Sequence, residues 1–304
     1  MNSPSFSHNQ LNKMLENSWM SKEYVSYMKS LVQNDKETII LGEYQEALSL
    51  FAEETKDTKR KIIVTLDWRD TAGKWSNIRR VTEYFNLGRF GVKAFTWIPT
   101  ADEKRKFNWF QRYMNYFPEE WQTRFFDRSW YNRVGVEAAM WFCTEEEYNW
   151  FMENIIDFEK THIIDQEYDF LKIYLSITKK TQKRRLEERE NPTTRWKSSD
   201  IDAQAQEKWS YYRLAKQRML EQTDSKHAPW MIIDGNKKYL SAIEIIKAMI
   251  NTSTEVAWIV ENNLSIDLSP DKNLVRTASE ELAKMKKNWE IPSKLDGFNF
   301  RKPT

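Results

Sequence analysis

The sequence predicts an α/β domain, a parallel sheet flanked by helices, with helical extensions at both ends. Three observations lead there. Short apolar runs rich in β-branched and aromatic residues recur along the chain, each too brief for a core helix. Between them lie longer stretches with apolar residues three and four apart, and strands alternating with helices are the pattern of βαβ units. Finally, 304 residues with 40% hydrophobic and 30% charged content suffice for a sizeable buried core.

Taken in order, residues 1–21 are polar and mixed, and YVSYMKSLV (24–32) and YQEALSLFAEET (44–55) predict helices, so that 1–58 form an N-terminal helical extension. The core spans 59–250. Its strands are IIVTL (62–66), VKAFTWI (92–98), RFFD (124–127), YDFLKIYLSI (168–177) and PWMIID (229–234). Helical patterns fall near 76–86, 103–117, 133–160 and 179–220, and SAIEIIKAMI (241–250) closes the domain. The tail, 251–304, predicts one short strand, VAWIV (256–260), and one helix around TASEELAKMKKNW (277–289).

Composition excludes several classes of function. The 47 basic and 45 acidic residues nearly cancel, so the chain lacks the strong positive excess of a dedicated nucleic-acid binder. Cys143 is the single cysteine, which excludes a disulfide framework and a thiolate metal cluster and suits a reducing compartment, hence the cytoplasm. No stretch reaches the ~18 apolar residues of a membrane span, and the opening MNSPSFSHNQLNKML lacks the apolar core of a signal peptide. His8, His162 and His227 are scattered without metal-ligand spacing.

Chemistry concentrates in IIVTLDWRDTAGKWSNIRR (62–80), where a buried strand runs into a loop ending Gly73-Lys74 and then into a helix. A phosphate loop needs this context: backbone N–H groups at a helix N-terminus and a Lys facing the phosphates. Against the pattern G-x-x-x-x-G-K-[ST], Trp68 replaces the first Gly and Trp75 the metal-binding hydroxyl. Asp70, inside the loop, can supply the missing oxygen ligand to Mg²⁺. The second half of a phosphoryl-transfer site is RFFDRSWYNRVGVE (124–137): Asp127 at a strand's carboxyl end to hold the metal, with Arg128 and Arg133 beyond it to neutralise developing charge. From Lys179 to Lys197 eight basic residues face three acidic ones, and Arg185 and Arg189, four apart, share a helix face able to reach one anion.

These motifs resemble the second family of polyphosphate kinases. The resemblance is carried by DTAGK (70–74), FFDRSWYNRVGVE (125–137), FCTEEEY (142–148), RLEERENPTTRWKSSDID (185–202), WSYYRLAKQRM (209–219) and APW (228–230), in order over about 60–250. It implies a P-loop kinase-like sheet with a helical lid at about 179–220. It implies Mg²⁺-dependent, reversible phosphoryl transfer between inorganic polyphosphate and nucleoside di- and triphosphates. Asp70 and Asp127 are then metal carboxylates, Gly73, Lys74, Arg128 and Arg133 phosphate ligands, and Arg185, Arg189 and Lys197 the basic face of the lid. Asn132 would accompany a diphosphate acceptor. A homo-oligomer without nucleic-acid or membrane partners is expected. Two rivals share these residues: an ATP-dependent nucleoside monophosphate kinase and a non-enzymatic polyanion-binding module.

Overall fold

In the computed structural model, which describes residues 22–68, 71–86, 88–95, 99–189 and 207–288, six strands form one sheet. They are β1 (Lys61–Trp68), β2 (Phe90–Ala94), β3 (Thr123–Asp127), β4 (Tyr168–Ser176), β5 (Trp230–Asp234) and β6 (Val275–Thr277), in the spatial order β2-β3-β1-β4-β5-β6. The first five are parallel, and β6 runs antiparallel on the edge beside β5. Leu66 stands opposite both Asp127 on β3 and Ile173 on β4, so β1 is central and its carboxyl end opens between two neighbours. The chain leaves β1 toward β2 and β3 on one side and returns on the other with β4. Ligands of open α/β sheets bind outside the strand ends at such a switch point.

Alternating side chains divide the interior in two. Val64, Leu66, Phe125, Ile173, Leu175 and Ile233 point to one face, whereas Ile63, Phe126, Tyr174 and Ile232 point to the other. The first face is aliphatic and is covered by α2 (Lys74–Val81) and α8 (Lys238–Ile250), with α1 (Lys22–Glu54) and α9 (Thr254–Leu264) outside them. Every residue of α8 from Ser241 to Ile250 is buried, because α1 covers the side turned away from the sheet. The second face is aromatic, built with α3 (Lys106–Met114), α5 (Glu145–Glu159) and α7 (Trp209–Thr223). Trp109, Trp130 and Trp230 are fully buried there, so much of the unusual aromatic content is packing.

The main differences from the sequence reading have local causes. Residues 22–54 form one helix instead of two, since the polar stretch between the predicted helices contains no proline. The pattern at 133–160 is broken into a 3₁₀ turn (Trp130–Arg133), α4 (Val136–Ala139) and α5. Trp141 adopts a left-handed φ of 56°, and Thr144 then starts α5 with a capping box on Glu147. VAWIV is helical within α9, where Ser253 caps the first turn and Val256, Ala257 and Val260 form its buried face. The tail's strand is β6 instead, and its expected helix forms as α10 (Ala278–Lys287), which packs on α7. Residues 1–21, 190–206 and 289–304 lie outside the described residues, as do Asp70 and Lys197.

Candidate active site

Two loops leave the carboxyl ends of the adjacent strands β1 and β3. The first passes Thr71, in a left-handed conformation (φ 65°), and reaches Gly73 (φ 96°), which caps α2 without a side-chain hydrogen bond. A positive φ at the last position before the helix favours glycine. A Cβ there would meet Arg185 Nη1 at 3.5 Å and Lys238 Cγ at 3.6 Å, ordinary contact distances, so it is the backbone conformation that calls for glycine. Lys74 follows as the first helical residue, and its Nζ lies 2.7 Å from Asp127 Oδ1 at the end of β3. Both halves of the motif predicted from sequence therefore converge on one largely buried ion pair.

Asp67, at the end of β1, is sunk beneath this pair. Its Oδ2 accepts from the Ser129 hydroxyl at 2.6 Å and its Oδ1 from the Ser129 backbone N–H at 3.3 Å. Burial pushes the Asp67 carboxyl up to about 7, against the opposing pull of Ser129 and of Lys74. By holding Ser129, Asp67 fixes the turn in which Arg128 takes a left-handed φ of 75°. Arg128 lines a cavity of about 40 Å³ with Asp67, Asn132, Tyr174, Tyr212 and Lys216. That cavity sits at the strand ends beside the Lys74–Asp127 pair.

The remaining predicted arginines have other surroundings. Arg133 is 1% exposed and boxed in: Nη1 lies 3.1 Å from Glu137 and 3.2 Å from Glu147, Nη2 donates to the Lys104 carbonyl at 2.9 Å, and the guanidinium sits 3.9 Å from the Trp109 ring centre. Arg185, on α6 (Lys179–Glu188), donates from Nη1 to the Thr71 and Ala72 carbonyls, each at 3.0 Å. Its Nη2 donates to the carbonyls of Gly235 (2.8 Å) and Asn236 (3.1 Å). One guanidinium thus ties the β1–α2 loop to the β5–α8 connection, its donors turned onto backbone instead of toward the cavity. Arg189 is the half-buried residue closing α6.

Sequence reasoning missed Asp67, Ser129, Lys216 and Lys238. Asp67 stands at a strand's carboxyl end, the same signal that singled out Asp127. Lys216 was legible as a lysine on the buried stripe of α7 shared with Tyr212, Ala215 and Met219. Lys238 opens α8 beside Gly73, with burial and then Arg185 pulling its ammonium down.

The donors fit a hard cation. Asp127 and the neighbouring Asp67 offer carboxylate oxygens at adjacent strand ends, the ligand type that Mg²⁺ takes together with phosphate and water. Among the described residues no group of three or more His, Cys, Asp or Glu could hold a metal alone.

Against known proteins, residues 31–257 match the polyphosphate kinase 2 family. The chain belongs to that family. An NDP-polyphosphate phosphotransferase of Ruegeria pomeroyi is 36% identical over 206 residues, covering 67% of this chain and 58% of that one. An ADP-polyphosphate phosphotransferase of Rhizobium meliloti is 36% identical over 194 residues, covering 64% of each. The chain spans roughly three fifths of the length of these curated relatives. The fold is that of the polyphosphate kinase 2 of Arthrobacter aurescens, with a TM-score of 0.60, 24% identity and coverage of 83% of this chain and 87% of that one. Among the described residues no helix is long and apolar enough to cross a membrane.

Proposed function

We propose that this polyphosphate kinase 2 family member transfers a phosphoryl group reversibly between inorganic polyphosphate and a nucleoside diphosphate, with Mg²⁺. The observation that carries the reading is the 2.7 Å meeting of Lys74 and Asp127 across β1 and β3, at the N-terminus of α2. Lys74 and the first amides of α2 receive phosphate oxygens. Asp127, with Asp70 in the adjoining loop, would hold the metal, which would supply charge neutralisation. Arg128 at the cavity neutralises charge on the moving group, and Asn132 touches the acceptor side. Arg189 and Lys197 contribute the basic face of a lid that includes α6 and α7. Arg133 and Arg185 serve by fixing the loops, and direct contact with phosphate is assigned to Lys74 and Arg128.

The acceptor's terminal phosphate oxygen is already ionised at neutral pH, so the site needs no strong base; catalysis reduces to positioning and electrostatics. The relatives' names as NDP- and ADP-polyphosphate phosphotransferases support the diphosphate acceptor. The same reading puts the chain in the cytoplasm, working as a homo-oligomer without nucleic acid or membrane. Incubation of the protein with ADP or GDP, Mg²⁺ and polyphosphate, followed by chromatography, should yield the triphosphate and lose that yield with chelator. Turnover of a monophosphate with ATP and none with polyphosphate would overturn the reading.

A further inference from the structure

Two cations line the cavity at the strand ends, Arg128 from the β3 loop and Lys216 from α7. Lys216 is 8% exposed, and its ammonium donates to the Ser176 hydroxyl at 3.1 Å and to Glu281 on α10, with the Tyr174 ring centre 4.7 Å away. The other Glu281 oxygen accepts from Arg276 Nε at 2.5 Å. One carboxylate therefore serves two cations, and of the two it is Lys216 that lines the cavity. Lys216, Arg276 and Glu281 together carry one net positive charge, held in place beside the cavity, which favours an anion there. Tyr174 and Tyr212 share its side of the cavity and give it an aromatic wall. A cation beside an aromatic wall complements a nucleotide, which presents anionic phosphate oxygens and an aromatic base.

We propose that Lys216 binds the phosphate of the acceptor nucleotide, and that Glu281 on the C-terminal helix is its positioning residue. The inference rests on the proposed function for the word acceptor, whereas its binding chemistry stands separately. It makes the β6–α10 segment part of the site: the edge strand carries Arg276 and the helix carries Glu281, so the tail sets where the cavity's second cation sits.

The test is equilibrium binding of ADP by calorimetry to the full chain, run with transfer kinetics at varied ADP and at varied polyphosphate. Lys216→Met keeps the side chain's length and leaves Glu281 paired with Arg276, so the fold should persist, which circular dichroism checks. It should weaken ADP binding by about tenfold, the worth of one charge-assisted contact, and raise the KM for ADP while leaving that for polyphosphate within twofold. Glu281→Gln should weaken ADP binding about threefold when Lys216 is present and leave it unchanged in the Lys216→Met background. Unaltered ADP binding by a folded Lys216→Met protein overturns the proposal, and an equal loss for polyphosphate overturns the acceptor assignment. The same Glu281→Gln effect in both backgrounds reduces Glu281 to a structural residue. A parent that binds ADP through Lys216 but transfers nothing from polyphosphate removes the proposed function and keeps this inference.

Discussion

The loops after β1 and after β3 meet at the Lys74–Asp127 pair, yet they are held in different ways. At the first, the backbone is held from outside: Thr71 and Gly73 adopt positive φ, and Arg185, more than a hundred residues downstream, donates to the carbonyls of Thr71 and Ala72. At the second, the loop is anchored through its own side chains: the Ser129 hydroxyl donates to Asp67 on β1, and Arg133 is locked among Glu137, Glu147 of α5 and Trp109 of α3. The cations around these two loops thus divide into those that hold a loop and those that line the cavity. Arg128 and Arg133 lie five residues apart in one motif and fall on opposite sides of that division.

Removing the meeting point itself should have the largest effect. Asp127→Asn or Lys74→Met takes away a contact to metal or to transferring phosphate, and transfer should fall by about a thousandfold, or about 4 kcal/mol of transition-state stabilisation. Each variant should still fold, with a lower melting temperature because it leaves its partner unpaired in a largely buried place. Near-parental turnover in a folded Asp127→Asn protein would dissolve the site as drawn.

The external clamp comes next. Arg185→Gln strips donors from four carbonyls, two in the phosphate loop and two after β5. Unmet buried acceptors should cost about 3 kcal/mol of stability, visible as a lower urea midpoint. Arg189→Gln, at the end of the same helix, should leave the midpoint within error and affect polyphosphate kinetics alone. Equal urea midpoints for the two variants would erase the distinction between shaping and facing residues.

The division also explains what was legible in the sequence. The positions of the five parallel strands, the glycine-lysine loop and Asp127 follow from periodicity and from residue types at strand ends, which are local properties. Burial of a charged side chain is not local. Arg133 is sunk because Trp109 and Glu147 come to it from α3 and α5, and Arg185 is spent on backbone because the loops after β1 and β5 adjoin in the folded sheet. Nothing within either motif carries that information. The β6 strand is three residues long, too short to show alternation, and β-branched content alone favoured a strand at VAWIV where a capped, one-faced helix formed.

The tail's carboxylate offers a smaller and pH-dependent effect. Burial acts to raise the Glu281 carboxyl, but Lys216 and Arg276 outweigh it and hold the group down at about 2, below an ordinary 4.5. A folded pKa below the unfolded one gives stability that is present above about pH 4.5 and lost as pH falls toward 2. Glu281→Gln should therefore cost about 2 kcal/mol at pH 7, and the gap in melting temperature should close on acidification below about pH 4.5. A gap that stays constant from pH 7 to pH 3 would show that the pair contributes shape without charge.

Trp75 should matter little to stability, and it tests the first loop from inside. It follows Lys74 in the first turn of α2, where phosphate loops carry a small or hydroxyl residue, and 52% of its surface is exposed. Half of the ring therefore contributes little burial, and Trp75→Gly should cost up to about 1 kcal/mol, mainly helix propensity. If Arg185 and the positive φ of Gly73 hold the loop from outside, its form does not depend on this ring. The variant should then keep the parent's polyphosphate kinetics or improve on them, since the first amides of α2 gain room for phosphate. Intrinsic fluorescence gives a second readout: the parent's emission should shift when Mg²⁺ and polyphosphate are added, and the shift should shrink in the variant. A collapse of transfer in a folded Trp75→Gly protein would mean that the first loop, like the second, is held by its own side chains, and the contrast between the two loops would fall.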